Sequence, residues 1–423
     1  MHDVVVVGGG PAGCFTAALL AEKGFDVQLF EEHPVIGQPV DCTGVIGAEA
    51  FEALALPNSL RLEAVKAVKF VSPSDLEFRV SLPHPLAWIV DRAALDCTIA
   101  HRAAVAGAQI HLGARVVEVT ARQDKVIALV EENNSHSRGN LRIRRRVEAR
   151  MVILAGGPRY RFQSALGMGR PKNFLKTAQV EVPVHGVAET EVFVGSRIAP
   201  GSFAWIVPFQ KEDQRLARIG VSGKTAALPY LRKLLGMLMR NGRLESTDFP
   251  IRSWVIPIGP LPRSYANRAL AVGDAAGQTK PTTGGGIYYG ICSAHSAAYA
   301  VELAFARSDY SATFLARYER RWWRTLGAEI RAGALFRRIS ERLSDADMDR
   351  IFRIVRSDGI LTVASRKLRF DWHRELISFV LKHPLLGRAI NKNKYRDTTS
   401  FGHPRVSFGA HDEAGGDWPA GSD

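Results

Sequence analysis

Cysteine is scarce, with four residues (Cys14, Cys42, Cys97 and Cys292) in a chain of 423. No two are spaced as a zinc knuckle or a disulfide framework requires, so neither a metal site nor a stapled scaffold is expected, and the usage fits a reducing compartment. Long apolar runs are also missing. No stretch reaches the roughly 18 residues of a membrane span, and the N-terminal valines read as a strand, not as the core of a signal peptide. The chain is therefore expected to be cytoplasmic, with peripheral attachment to a membrane as the remaining option. Acidic residues are in deficit, 42 against 56 Lys and Arg, for a net charge of +14. Residues 310–396 hold 20 Lys and Arg but 9 Asp and Glu, so +11 of that charge sits in one region. Such asymmetry suits an anionic membrane surface or an acidic redox protein, or else a solvated helical face. No nucleic-acid motif accompanies it, and no nucleic-acid partner is expected.

What is present begins at the N-terminus. Val4-Val5-Val6-Val7-Gly8-Gly9-Gly10-Pro11-Ala12-Gly13 reads as a buried strand, a glycine turn and a helix start, with Pro11 in the first helical turn. Gly8 permits the tight turn, Gly10 lets backbone approach a pyrophosphate, and Gly13 lets helix pack on strand. The free N–H groups and positive end of that helix would face the anion. Gly24 closes the helix, residues 25–30 alternate as a second strand, and Glu31 follows where an acid holds a ribose hydroxyl. The spacing predicts a dinucleotide site.

Hydrophobic residues make up 46% of the chain, enough for two or three cores. The pattern predicts an α/β fold: a Rossmann-like nucleotide domain, a mostly antiparallel β domain and a helical C-terminal region. The nucleotide domain is discontinuous, over 1–65, 91–160 and 265–310. Within it a helix runs from Arg92 to about Gly107. Strand-like runs follow at 115–120, 125–131 and 141–148, then a separate buried strand, Met151–Leu154, ending at Gly156 and Gly157. Residues 66–90 and 161–264 form the second domain, 311–397 the helical region, and 398–423 a disordered tail. Ser344 and Asp347 have capping-box spacing ahead of an amphipathic helix. Trp322, Trp323 and the stretch Leu376–Leu381 are the candidates for insertion into a membrane.

A second nucleotide signature lies far downstream. Ala269-Leu270-Ala271-Val272-Gly273-Asp274-Ala275-Ala276-Gly277 is a short buried strand ending in Gly-Asp, and Pro281-Thr282-Thr283-Gly284-Gly285-Gly286-Ile287 opens a helix of small residues. Asp274 can bond a ribityl hydroxyl, and the helix N-terminus can set N–H groups at an electron-rich ring edge. Together with the Asp91-Arg92 pair, these motifs resemble FAD-dependent oxidoreductases of the p-hydroxybenzoate hydroxylase fold. Two further stretches resemble the geranylgeranyl reductase family. Pro200-Gly201-Ser202-Phe203-Ala204-Trp205-Ile206-Val207-Pro208 is similar to its PxxYxWxFP motif, with Phe203 for Tyr and Val207 for Phe. Gly37-Gln38-Pro39-Val40-Asp41-Cys42-Thr43-Gly44 is similar to its G-x-P-V-x-C-x-G stretch.

The resemblance implies a set of roles. Gly8, Gly10, Pro11, Ala12, Gly13 and Glu31 would hold the FAD phosphates and adenosine ribose, with Val116 at the adenine. Cys42, Thr43 and Gly44 would lie beside the isoalloxazine, with Cys42 catalytic. Arg92 would reach the phosphates or ribityl chain, and Gly156, Asp274, Gly286 and Ile287 would complete the cofactor site. Phe203, Trp205 and Pro208 would line the pocket for an apolar chain. The implied activity is saturation of isolated C=C bonds in prenyl chains of a lipid or diphosphate. NAD(P)H or a ferredoxin-like protein would supply the electrons. A flavin monooxygenase on the same fold is the alternative, and a halogenase a more distant one.

Overall fold

The computed structural model of the protein describes residues 1–133, 142–357 and 359–390. The expected tail at 398–423 and residues 391–397 of the helical region lie outside them. Three sheets form among the described residues.

The valine strand, His2–Val7, lies inside an eight-stranded sheet, between the parallel strands Val27–Phe30 and Arg142–Leu154. Strand alternation divides its side chains between two cores. Val4 and Val6, with Leu29, Met151 and Ile153, face the helices Pro11–Ala21, Arg92–Val105 and Ile287–Arg307. Val5 and Val7, with Phe30, Val152 and Leu154, face the hairpin of Ala114–Ala121 and Val126–Asn133. A valine run with both faces buried is what a central parallel strand demands.

One expectation is corrected here. The runs read as separate strands at 141–148 and 151–154 are a single strand, Arg142–Leu154. Its first part pairs antiparallel with Val126–Asn133, and its last residues pair parallel with His2–Val7. The polar half reads as a break in sequence, but Arg144 and Arg145 cross to Glu131 and Glu132 of the neighbouring strand.

The second sheet has seven strands: Arg252–Ile258, Asn173–Pro183, Gln214–Gly223, Ala199–Lys211, Thr190–Gly195, Ala67–Val71 and Glu77–Ser81, in that spatial order. Helix Leu228–Arg240 covers one face, burying Leu231, Leu234, Leu235 and Leu238 at helical spacing against Ala204, Ile206, Ala217 and Ile219. The other face is left for a cavity. Ala87–Val90 departs from the expected grouping, because it pairs with Val45–Gly47 and Arg61–Val65 in a small third sheet. Ala87, Ile89 and Val90 are buried there, and the Val90 amide donates to the Gly44 carbonyl at 2.8 Å.

The C-terminal region is helical: Ala312–Ser340, Asp345–Ser357, Ile360–Arg366, Arg374–Lys382 and Pro384–Ile390. Ser344 and Asp347 form the expected reciprocal cap, amide to carboxylate at 3.0 Å and amide to hydroxyl at 3.2 Å. Of the insertion candidates, Trp322 and Ile377 are buried and the others are half-buried. Trp322 is 1% exposed and donates through Nε1 to Ser264 Oγ at 3.0 Å, while Trp323 packs against it. Within Leu376–Leu381, Ile377 is buried and Val380 faces the cavity. An aromatic among arginines reads as an interface, but a buried hydroxyl partner draws the indole into the core. Among the described residues no helix is long and apolar enough to cross a membrane.

Candidate functional site

The two nucleotide motifs and the open face of the seven-stranded sheet meet at one cavity of about 1090 Å³. That is at the upper end of the roughly 300–1,000 Å³ of most small-molecule sites. Gly8, Gly10, Pro11, Ala12, Glu31, Cys42, Thr43, Gly44, Arg92, Val116, Gly156, Asp274, Gly286, Ile287, Phe203 and Trp205 all line it.

Gly13 and Pro208 do not. A Cβ on Gly13 would run into the Gly8 carbonyl oxygen, so this glycine serves the packing of helix on strand. Pro208 is a correction. It sits between Val207 and Phe209, and strand alternation turns it away from the face that carries Phe203, Trp205 and Val207.

At the nucleotide end the wall is backbone. Gly8 has φ +106° and lies so close to Ala155 and Gly156 that no side chain fits. Gly10 is different: a Cβ there would meet no protein atom within 4 Å, so the space over it is open for a ligand. Helix Pro11–Ala21 starts with no side-chain cap and no acidic residue in its first turn, leaving its N–H groups for an anion. Glu31 accepts the Gly9 amide at 2.6 Å and the His33 amide at 3.0 Å, which ties the second strand to the glycine turn. A second helix, Ile287–Arg307, begins uncapped at Gly286, where a Cβ would lie 2.5 Å from the Asp274 carboxylate. Burial pushes that carboxyl up to about 6, against the opposing charge of Arg92.

Arg92 pairs with Asp96 one helical turn on and lies beside the Cys42 thiol. Burial disfavours its charge, yet Asp96 and Cys42 hold the guanidinium above its ordinary range, and its buried Nε has no protein partner. An orphaned donor aimed at this site fits a cofactor oxygen. The glycine cradle, two uncapped helix ends and this donor suit FAD.

Several residues of the site carry no motif. Gln179 accepts from Thr43 Oγ1 at 2.6 Å and from Trp205 Nε1 at 3.2 Å, and its amide donates to the Cys42 carbonyl at 3.5 Å. It thus fixes the Cys42–Thr43 segment to the sheet. The Trp205 ring lies across Gly220, where any Cβ would collide with the indole. Arg218 is buried against Glu181 and donates to the carbonyls of Thr43 at 2.7 Å and Val90 at 3.1 Å. Behind Gly273, Gln278 accepts the Gly273 amide at 2.8 Å and donates to the Tyr318 hydroxyl at 2.9 Å. The Pro281–Gly286 loop is clamped from the C-terminal region. Lys280 pairs with Asp371 at 2.8 Å, both nearly inaccessible, and Arg337 donates to the carbonyls of Pro281 and Thr282. Thr282 Oγ1 and His373 Nδ1 lie 2.6 Å apart, and burial with the charge of Lys280 pushes His373 down to about 3, so its ring is neutral.

A family model described as "Lycopene cyclase protein" matches residues 3–358. The chain is 29% identical to digeranylgeranylglycerophospholipid reductase 2 of Methanothermobacter thermautotrophicus over 375 residues, 87% of this chain and 95% of that one. It is 30% identical to digeranylgeranylglycerophospholipid reductase 1 of Methanopyrus kandleri over 369 residues, 84% of this chain and 94% of the other. In fold it is similar to a geranylgeranyl bacteriochlorophyll reductase-like protein of Thermoplasma acidophilum, with a TM-score of 0.78 and 23% identity, covering 92% of this chain and 98% of that one.

Proposed function

As the chain belongs to the lycopene cyclase protein family and, by its near-full-length relatives, to the geranylgeranyl reductases among FAD-dependent oxidoreductases, we propose that it saturates isolated C=C bonds in prenyl chains. The observation that carries this reading is the continuity of one cavity from the glycine cradle to the apolar face of the second sheet. We assign the eight-stranded sheet to cofactor binding and the seven-stranded sheet to the substrate.

Bound and reduced, the flavin supplies the hydride that adds to one alkene carbon. The remaining work falls to the chain. An unactivated alkene has no heteroatom to hold, so orientation and exclusion of water are the tasks. Val192, Val194 and Phe203 on the sheet, opposite Ile339, Met348 and Ile351 on the helices, provide a dry wall. Each methylene leaving water gains about 0.8 kcal/mol, so most of the affinity comes from the chain rather than the headgroup. The second alkene carbon needs a proton, and we assign it to Cys42 Sγ. The Arg92 guanidinium lies beside it, and Gln179 holds the cysteine's backbone in place. Prenyl lipids and prenyl diphosphates are the substrate classes that fit.

The electron donor we propose is NAD(P)H or an acidic ferredoxin-like protein. There is no second glycine signature for a nicotinamide dinucleotide, and Arg320, Arg324 and Arg331 are exposed along helix Ala312–Ser340. The same face would suit an anionic membrane surface, placing the protein at the cytoplasmic side of the bilayer.

The test is mass spectrometry of a geranylgeranyl lipid after anaerobic incubation with the reduced protein. The expected product gains two hydrogens per bond and no oxygen. Cys42→Ala should keep its flavin and lose turnover by about 10²-fold or more, as removal of a general acid does. Unchanged turnover would leave the thiol a packing residue.

A further inference from the structure

One side of the apolar half of the cavity is bounded by aromatic rings. Strand register in the seven-stranded sheet lines up one row of residues on the cavity face: Gln179, Gly220, Trp205, Val192, Phe70 and Phe78. The row starts at the polar group that holds Thr43. Three strands beyond Trp205 it reaches Phe78, a span of about 14 Å at ordinary strand spacing.

Phe70 lines the cavity and Phe78 does not. The Phe78 ring stacks on Phe70 at 4.8 Å and meets Phe352 at 4.7 Å, and Phe352 lines the cavity from the helical side. Past Phe78 the sheet ends at an edge strand with exposed Glu77 and Arg79. The helix that carries Phe352 is fastened to the sheet. Asp349, three residues earlier on the same helical face, accepts from the hydroxyls of Ser72 and Ser74, each at 2.5 Å, and from the Ser74 amide at 3.1 Å. At the start of that helix Asp345 accepts the Ser196 amide at 2.8 Å and hydroxyl at 2.6 Å. These bonds hold Phe352 against the edge of the sheet.

We propose that Phe70, Phe78 and Phe352 form an end stop that sets how long an apolar chain the cavity accepts beyond Trp205. The stop rests on the prenyl-chain reading of the site. Close-packed rings cannot be compressed by an incoming methyl group, because interiors resist added volume. A chain within the limit gains affinity with each isoprene unit. A longer one must leave its surplus in water.

The experiment is calorimetric titration of the full-length, FAD-loaded protein with prenyl alcohols, from farnesol through geranylgeraniol and geranylfarnesol to longer homologues. For the unaltered protein, affinity should rise with each unit and then stop rising at one length. Phe78→Ala and Phe352→Ala should move that break to longer chains, tightening the first homologue beyond it by about tenfold or more. Val192→Phe, at the row position between Trp205 and Phe70, fills the space before the stop and should move the break to shorter chains. An unmoved break in all three variants, with normal melting curves, would overturn the stop. If the alanine variants do not fold, Val192→Phe decides alone. A rise with no break overturns the stop and leaves the prenyl reading standing, whereas no binding at any length removes both.

Discussion

The two ends of the cavity are built from different materials. At the nucleotide end the wall is main chain, with glycines at positions where a Cβ would strike Ala155 or Gly8. At the chain end the wall is side chain, valines and aromatics on one face of a sheet and on the helices above it. The cofactor's phosphates need N–H groups at close range, which only a few residue types at fixed spacing allow. A prenyl chain needs only volume and dryness, which many residue sets supply. Substitutions should therefore fail abruptly at the first end and gradually at the second.

The largest effect should come from Gly10→Val. No protein atom lies within 4 Å of the new Cβ, so the flavin-free protein should melt as the unaltered one does. Bound flavin should be lost altogether, since the side chain takes the pyrophosphate's place. Copurification of a full complement of FAD would remove the glycine turn from the site.

Next in size is the joint between the two ends, the buried pair of Lys280 with Asp371. Lys280→Met leaves a buried carboxylate without its cation and should cost about 3–5 kcal/mol in denaturant unfolding. A loss within 1 kcal/mol would mean that Asp371 finds water in the variant. Gln179→Leu should be milder. It strands Thr43 and the Trp205 indole at a cost of about 1–3 kcal/mol, and turnover should fall roughly 10–100-fold with flavin retained. Equal losses of flavin and turnover would show that Gln179 supports the cofactor, not the substrate side.

The nucleotide end was legible in the sequence because backbone contacts demand glycine, and glycine at fixed spacing is visible. Gln179 was not. A polar residue on a strand reads the same whether it faces water or a ligand, and its partner Thr43 lies 136 positions away. Arg218 was hidden for the same reason, its partners Thr43 and Val90 lying 175 and 128 positions away. Pro208 was misplaced because a motif names neighbours in sequence, while a strand sends alternate residues to opposite faces. Trp322 was misread because its bond to Ser264 spans 58 positions.

The smallest effect concerns pH. The Asp274 carboxyl is raised to about 6 by burial, so its ionised form weakens the flavin-free fold. That cost is absent below the usual carboxyl value of about 4 and complete above about pH 6. Asp274→Asn should raise the melting temperature of flavin-free protein at pH 7 and leave it unchanged at pH 4. A rise of equal size at both values would mean that burial does not perturb this group.

The central claim is that reduced flavin and a prenyl chain meet in one cavity with Cys42 between them. Its most direct test is anaerobic stopped-flow mixing of the reduced protein with a geranylgeranyl lipid. The flavin should reoxidise without oxygen, with one double bond lost for each flavin oxidised. A flavin that stays reduced under the lipid, and reoxidises only with oxygen to give a hydroxylated product, would contradict it.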